Sequence, residues 1–329
     1  MSTALDDIPA AGRVDVHHHF TAPAWLDWAE ERGVVDREKL PWWTRWDLDT
    51  ALEVMDKTGI GTAVMTVAML GRLRERAERQ ESARVALRAA ADVVESHPAR
   101  FRFFTPVFLD DLDLSSWSLA YGLDELGAVG VSTRTSMDGV YLGDPSHDRL
   151  LRELDERHAV VSTHPMEVPA GKPGSGNAGL PGMPPFVCDF LVDTTRAAVN
   201  LIRNGTLDRY PNLTFILPHG GGFLPYIADR LDLFGGHLTP PIEPGRVRDY
   251  LHRFYYDTAG PMSPSATPTL LAAVDPSRIL FGTDWPPTPG HVIADVTAPA
   301  LDADPALSDG QLRAINRENA LRLLPALAR

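Results

Sequence analysis

Two histidines one residue apart are the first side chains whose types and spacing suggest chemistry: His17 and His19, in Val14-Asp15-Val16-His17-His18-His19-Phe20. Val14 and Val16 are β-branched and favour a strand. Residues two apart on a strand share a face, so His17 and His19 should project together while His18 points away into a structural role. Paired neutral imidazoles suit zinc and related divalent metals. The same pair could instead be buried and satisfied by backbone carbonyls, so partners elsewhere in the chain decide the reading. The candidates are His164 before Pro165, His219 opening His219-Gly220-Gly221-Gly222, and Asp284 after Gly282-Thr283.

These residues need elements to bring them together. Hydrophobic patterning predicts strands at 14–20, 60–67, 101–106, 128–133, 159–163, 213–217, 254–257 and 278–282. Helices are expected at 46–57, 72–96, 112–126, 144–157, 189–208, 223–233, 264–274 and 308–323. Eight strands alternating with helices predict a closed parallel (β/α)8 TIM barrel, one domain over 1–329. An open doubly wound sheet is the alternative, but its first turn usually carries glycines that cradle phosphate, and here that turn carries histidines. In a barrel, all the candidates end strands on the C-terminal face, where barrel enzymes keep their chemistry. Strand 8 closes beside strand 1, which carries Asp284 toward the His17/His19 pair. Two insertions stand out. Residues 21–45, with Trp25, Trp28, Trp42 and Trp43, read as a lid or as packing at the barrel mouth; 168–185 reads as a Gly/Pro-rich loop beside the site.

Composition narrows the function classes. The 329 residues are 44% hydrophobic and 23% charged, ordinary for a globular enzyme. A net charge of −13 argues against nucleic acid as a partner. No apolar run is long enough to span a membrane, and residues 1–11 lack the pattern of a signal peptide. One cysteine, Cys188, permits no internal disulfide and reads as a small buried hydrophobe; a cytoplasmic protein is expected.

The segments VDVHHHF, STHP, HGGG and FGTDWP resemble the amidohydrolase superfamily, specifically its amidohydrolase-2 branch of metal-dependent decarboxylases. That branch includes the aminocarboxymuconate-semialdehyde, resorcylate and 6-methylsalicylate decarboxylases. LDELGAVGVSTRTSMDGVYLGDP, VDTTRAAVNLIRNGTLDRYPNLTFILPHGGG and RFYYDTAG extend the resemblance over nearly the whole chain. It implies that His17, His19, His164 and Asp284 hold one divalent metal, zinc or alternatively manganese, with His219 as the acid/base residue beside it. Many superfamily members bridge two metals with a carbamylated lysine. Lys39, Lys57 and Lys172 all lie away from predicted strand ends, so one metal is expected. Arg134, in Ser132-Thr133-Arg134-Thr135-Ser136, places a cation near the mouth, to meet an anionic substrate or to be solvated. Arg230, eleven positions after His219, matches an arginine that serves the partner subunit's site in aminocarboxymuconate-semialdehyde decarboxylase. The resemblance therefore implies a homodimer; an ion pair with Asp229 or Asp232 is the plainer role for Arg230.

Two chemistries fit this ligand set. One is non-oxidative decarboxylation of a small hydroxyaromatic or unsaturated acid, with Asp284 or His219 delivering the proton. The other is hydrolysis of a lactone or amide at the same site. A metal-free barrel acting as a binding protein is the third class.

Overall fold

The β-branched and aromatic runs form eight parallel strands: β1 Arg13–Phe20, β2 Ile60–Val67, β3 Phe101–Pro106, β4 Gly130–Arg134, β5 Val160–His164, β6 Thr214–Leu217, β7 Tyr255–Asp257 and β8 Ile279–Leu280. The computed structural model describes residues 12–71, 73–166 and 182–328. Each strand pairs with the next in sequence order from β1 to β8. The ring closes through backbone hydrogen bonds from Val16 N to Phe281 O (3.0 Å) and from His19 N to Trp285 O (2.7 Å). Closure rules out the open sheet and establishes the expected barrel.

Inside the barrel, Val14, Val16, Val64, Phe104, Ile216 and Leu280 pack together, joined by Ala320, Leu324 and Leu327 from the C-terminal segment. Strict alternation would send His17 and His19 to the face opposite Val14 and Val16. The chain avoids this with an irregularity. Asp15 pairs with Ala63 and His18 with Met65, so β1 uses three steps where β2 uses two. One extra residue turns the strand over locally, and both the valines and the histidines face inward.

Segment 21–45 divides between its two readings. Helix Pro23–Glu31 buries Trp25 and Trp28, and the Trp25 indole N–H donates to Ser82 Oγ at 2.7 Å, whereas Trp42 is exposed. Most of the 168–185 loop lies outside the described residues. The predicted helix 189–208 breaks at Asn204–Gly205 into Asp189–Arg203 and Thr206–Arg209, because Gly205 takes a left-handed φ of 59°. Helix Arg246–Leu251, helical turns across 290–302 and a short hairpin pairing Ser136–Met137 with Val140–Tyr141 are additional to the sequence reading. Cys188 is only half-buried, since it starts helix Asp189–Arg203 at the surface rather than pointing into the core.

Candidate metal centre

The strand ends bring all five predicted residues to one point. His17 Nε2 lies 3.3 Å from His19 Nε2, and Asp284 Oδ1 lies 2.9 Å from His19 Nε2 and 3.3 Å from His17 Nε2. The His164 ring sits 4.7 Å from His19 and 5.1 Å from His17, centroid to centroid. His219 Nε2 is 3.6 Å from Asp284 Oδ2. One donor atom each from His17, His164, His219 and Asp284 falls within a mutual 4.8 Å. His219 stands in that group where the sequence reading has His19, whose Nε2 contacts His17 and Asp284 instead.

These separations fit a shared cation. Four donors about 2.05 Å from a tetrahedral zinc stand about 3.3 Å from one another, close to the 2.9–3.6 Å contacts among His17, His19, His219 and Asp284. His164 and His219 each leave a buried Nδ1 without a hydrogen-bond partner among the described residues. Imidazole and carboxylate donors together suit zinc, manganese or iron. Lys39 and Lys57 pair at the surface with Asp36 and Glu53, each at 2.6 Å, which leaves neither to bridge a second metal.

The electrostatics match the geometry. Burial opposes a charge on His17, but Asp257 and Asp284 outweigh it and hold its pKa well above 6.5. Asp284 is also buried, yet the facing His17 and its hydrogen bonds keep its carboxyl well below the usual carboxylate range. Burial lowers His19, and burial with the neighbouring imidazoles of His19 and His17 takes His164 well below its ordinary value. The cluster without metal therefore centres on a His17–Asp284 ion pair, while His19 and His164 stay neutral and ready to donate lone pairs.

Local backbone explains the motifs. His219 and Asp284 have φ of 55° and 59°, a region that non-glycine residues seldom adopt. Each side chain is thereby turned off its strand toward the centre. Gly222 has φ 63°, and a Cβ there would stand 2.3 Å from Leu191 O, so only glycine fits at that point of the His219–Gly222 turn. At Gly282 a Cβ would lie 2.9 Å from the His17 Cβ and 3.1 Å from that of Asp257. Its bare α-carbon is what lets these two side chains meet.

Two carboxylates escaped the sequence reading. Asp257, the last residue of β7, receives His17 Nδ1 at 2.8 Å on Oδ2, and the His219 and Ala259 backbone N–H groups at 2.8 and 3.1 Å on Oδ1. A carboxylate at Nδ1 keeps the proton there and frees Nε2 to face the centre. Asp15 is fully buried and accepts from the His17 N–H (3.0 Å), the Thr283 N–H (3.0 Å) and the Thr283 hydroxyl (2.6 Å), tying β1 to the turn that carries Asp284. Their positions, one ending a strand and one preceding the histidine run, were the available signals. His18 is structural as expected: its Nδ1 lies 3.2 Å from Asp15, and its ring packs 4.7 Å from Trp285.

A cavity of about 600 Å³ opens from the metal cluster, with His19, His164 and Arg134 in its wall. Thr135 and Ser136 turn their hydroxyls to the buried Asp193, fixing the wall after β4. Burial raises the Asp193 carboxyl pKa against those hydrogen bonds. Arg230 is not part of this wall. It is exposed on helix Leu224–Phe234, its guanidinium 5.1 Å from the Phe234 ring centre, while Asp229 pairs with Arg248 and Asp232 accepts from Gly245 N–H.

A closed (β/α)8 barrel with a histidine–carboxylate cluster at its C-terminal mouth defines a metal-dependent barrel enzyme. The chain belongs to the amidohydrolase family, in its amidohydrolase-2 branch, whose sequence model matches residues 14–326. It is similar to the 6-methylsalicylic acid decarboxylase acuB of Aspergillus aculeatus, 32% identical over 328 residues that cover 96% of this chain and 97% of the relative. The gamma-resorcylate decarboxylase of a Rhizobium species is 27% identical over 293 residues, 84% of this chain and 88% of that one. Among solved structures, a 2,6-dihydroxybenzoate decarboxylase in complex with 2,6-dihydroxybenzoate superposes with a TM-score of 0.79 at 26% identity, covering 95% and 99% of the two chains.

Proposed function

We infer that the protein is a metal-dependent carboxy-lyase that removes carbon dioxide, without redox change, from a small hydroxyaromatic acid. What carries this reading over lactone or amide hydrolysis is the likeness, along nearly the whole length, to decarboxylases of aromatic acids. The donor set alone would serve either chemistry.

His17, His19, His164 and Asp284 are the proposed ligands of one divalent ion, zinc or manganese, which would stabilise as a Lewis acid the negative charge that develops as the carbon–carbon bond breaks. Asp257 fixes the His17 ring for that task. Arg134, in the same wall as His19 and His164, presents a guanidinium to the substrate carboxylate. Asp284 is ionised in the resting site, so it acts first as an acceptor. It would accept the proton of the substrate's hydroxyl and deliver it to the ring carbon as the bond to the departing carbon dioxide breaks, leaving the product as its phenolate; His219, 3.6 Å from Asp284, is the competing acid/base residue.

A homodimer belongs to the same proposal. Tyr226, Leu233 and Phe234 expose 80%, 75% and 46% of their surface on helix Leu224–Phe234, an apolar patch around Arg230 that suits a subunit contact. Arg230 would reach the neighbouring site from there. No helix among the described residues is long and apolar enough to cross a membrane, and a cytoplasmic location is proposed.

The test is a panel of hydroxybenzoates and aromatic lactones with the metal-loaded protein, following carbon dioxide against acid release. Carbon dioxide from the hydroxybenzoates is expected; acid release from the lactones alone would favour the hydrolase.

A further inference from the structure

We propose that the preferred substrate is an aromatic acid carrying an apolar substituent of several carbons, housed in an arm of the cavity between the segments that follow β2 and β3. The headgroup assignment rests on the decarboxylase reading; the arm rests on its own walls. After β2 the wall is Met69, Leu70 and Leu73, and after β3 it is Val107, Phe108 and Leu109. These six side chains share one cavity with His19 and His164, so a ring bound at the metal cluster has direct access to the arm.

Size points the same way. A hydroxybenzoate with one methyl group has about eleven non-hydrogen atoms and fills roughly 200 Å³ at interior packing density. The cavity holds about 600 Å³, within the range that accommodates ligands of roughly twice that atom count. Charge distribution decides what kind of extension fits. Arg79 lines the cavity from the outer helix Arg76–Ser96, but its guanidinium is already met by Asp110 at 2.7 Å and Asp111 at 3.7 Å and lies 5.4 Å from the Phe108 ring centre. A second carboxylate in the arm would face Asp110 beside Arg79, and the one further cation among the described lining residues after β2 is Arg74, next to Leu73. An alkyl chain faces leucine, methionine and phenylalanine.

The experiment is a chain-length series on the metal-loaded protein: salicylic acids with methyl, propyl and pentyl groups at ring positions 4, 5 or 6, and matching alkylbenzoic acids as non-reacting ligands. Turnover gives kcat/KM, and calorimetry gives Kd. In at least one positional series, kcat/KM should rise and Kd fall by roughly fourfold per buried methylene up to the pentyl group. Ala68→Phe and Leu70→Phe, which each fill the arm from its wall, should move the optimum to shorter chains. If either variant fails to fold, the series on the unaltered protein still decides. Decarboxylation of hydroxybenzoates with no gain beyond methyl in any series overturns the arm and leaves the decarboxylase reading intact. Tightening Kd along the series with no decarboxylation of any member keeps the arm and overturns that reading.

Discussion

Asp257→Asn keeps the side chain's volume and removes its charge, which makes it an informative perturbation of the metal centre. The native carboxylate accepts from His17 on one oxygen and from two backbone N–H groups on the other. Asparagine has one acceptor oxygen, best used by the two backbone donors. Its amide N–H then faces His17 Nδ1, where it can pair only with an unprotonated nitrogen. The imidazole proton is driven to Nε2, the atom that faces the cluster. Flipping the amide restores the tautomer but sets N–H against N–H, at about 1–3 kcal/mol for each donor left unpaired. Either arrangement should weaken metal binding by roughly 10–100-fold, about 1.4–2.7 kcal/mol. Competition against a chromogenic chelator reads the change directly, with a thermal melt to establish that the variant is folded. A folded Asp257→Asn whose metal Kd stays within about twofold of the native value would refute the orienting role.

Metal affinity should depend on pH in a defined direction. Without metal, His17 holds a proton up to its raised pKa, so the ion must displace it, and affinity should rise about tenfold per pH unit until that pKa is passed. Calorimetry in buffers of different ionisation enthalpy should count about one proton released per metal at neutral pH; none released contradicts the His17–Asp284 pair. His17→Ala or His19→Ala should strip the metal, whereas His219→Ala should retain it by elemental analysis and lose turnover. Asp284→Asn should abolish activity with metal partly retained, and near-normal turnover would remove its proton-transfer role. Mixing inactive His17→Ala and Arg230→Ala chains should restore part of the activity if Arg230 serves the neighbouring site. No recovery despite demonstrated subunit exchange excludes that role.

The barrel was legible because each strand is a run of β-branched or aromatic residues at regular spacing, and β2 and β3 match their predicted bounds. The strand-end histidines and Asp284 were legible because metal ligands must sit where barrel chemistry sits. The extra residue in β1 was not, since a register change depends on the partner strand and leaves no mark on Val14–His19 itself. Asp257 was missed for a related reason. A single aspartate ending a short strand resembles any turn residue until closure sets it against His17, and the space for that meeting comes from Gly282, distant in sequence. The nearness of His219 to the ligands depends on its left-handed backbone, of which the following glycines gave only a hint.

That this metal centre breaks a carbon–carbon bond rather than an ester or amide is the proposed function. Its most direct test is to incubate the metal-loaded protein in deuterium oxide with 6-methylsalicylic or 2,6-dihydroxybenzoic acid carrying a labelled carboxyl carbon. One labelled carbon dioxide per product and one deuterium at the ring carbon that lost it are expected, both suppressed by chelator and restored by metal. Unchanged hydroxybenzoic acids, alongside chelator-sensitive acid release from a lactone, would contradict it.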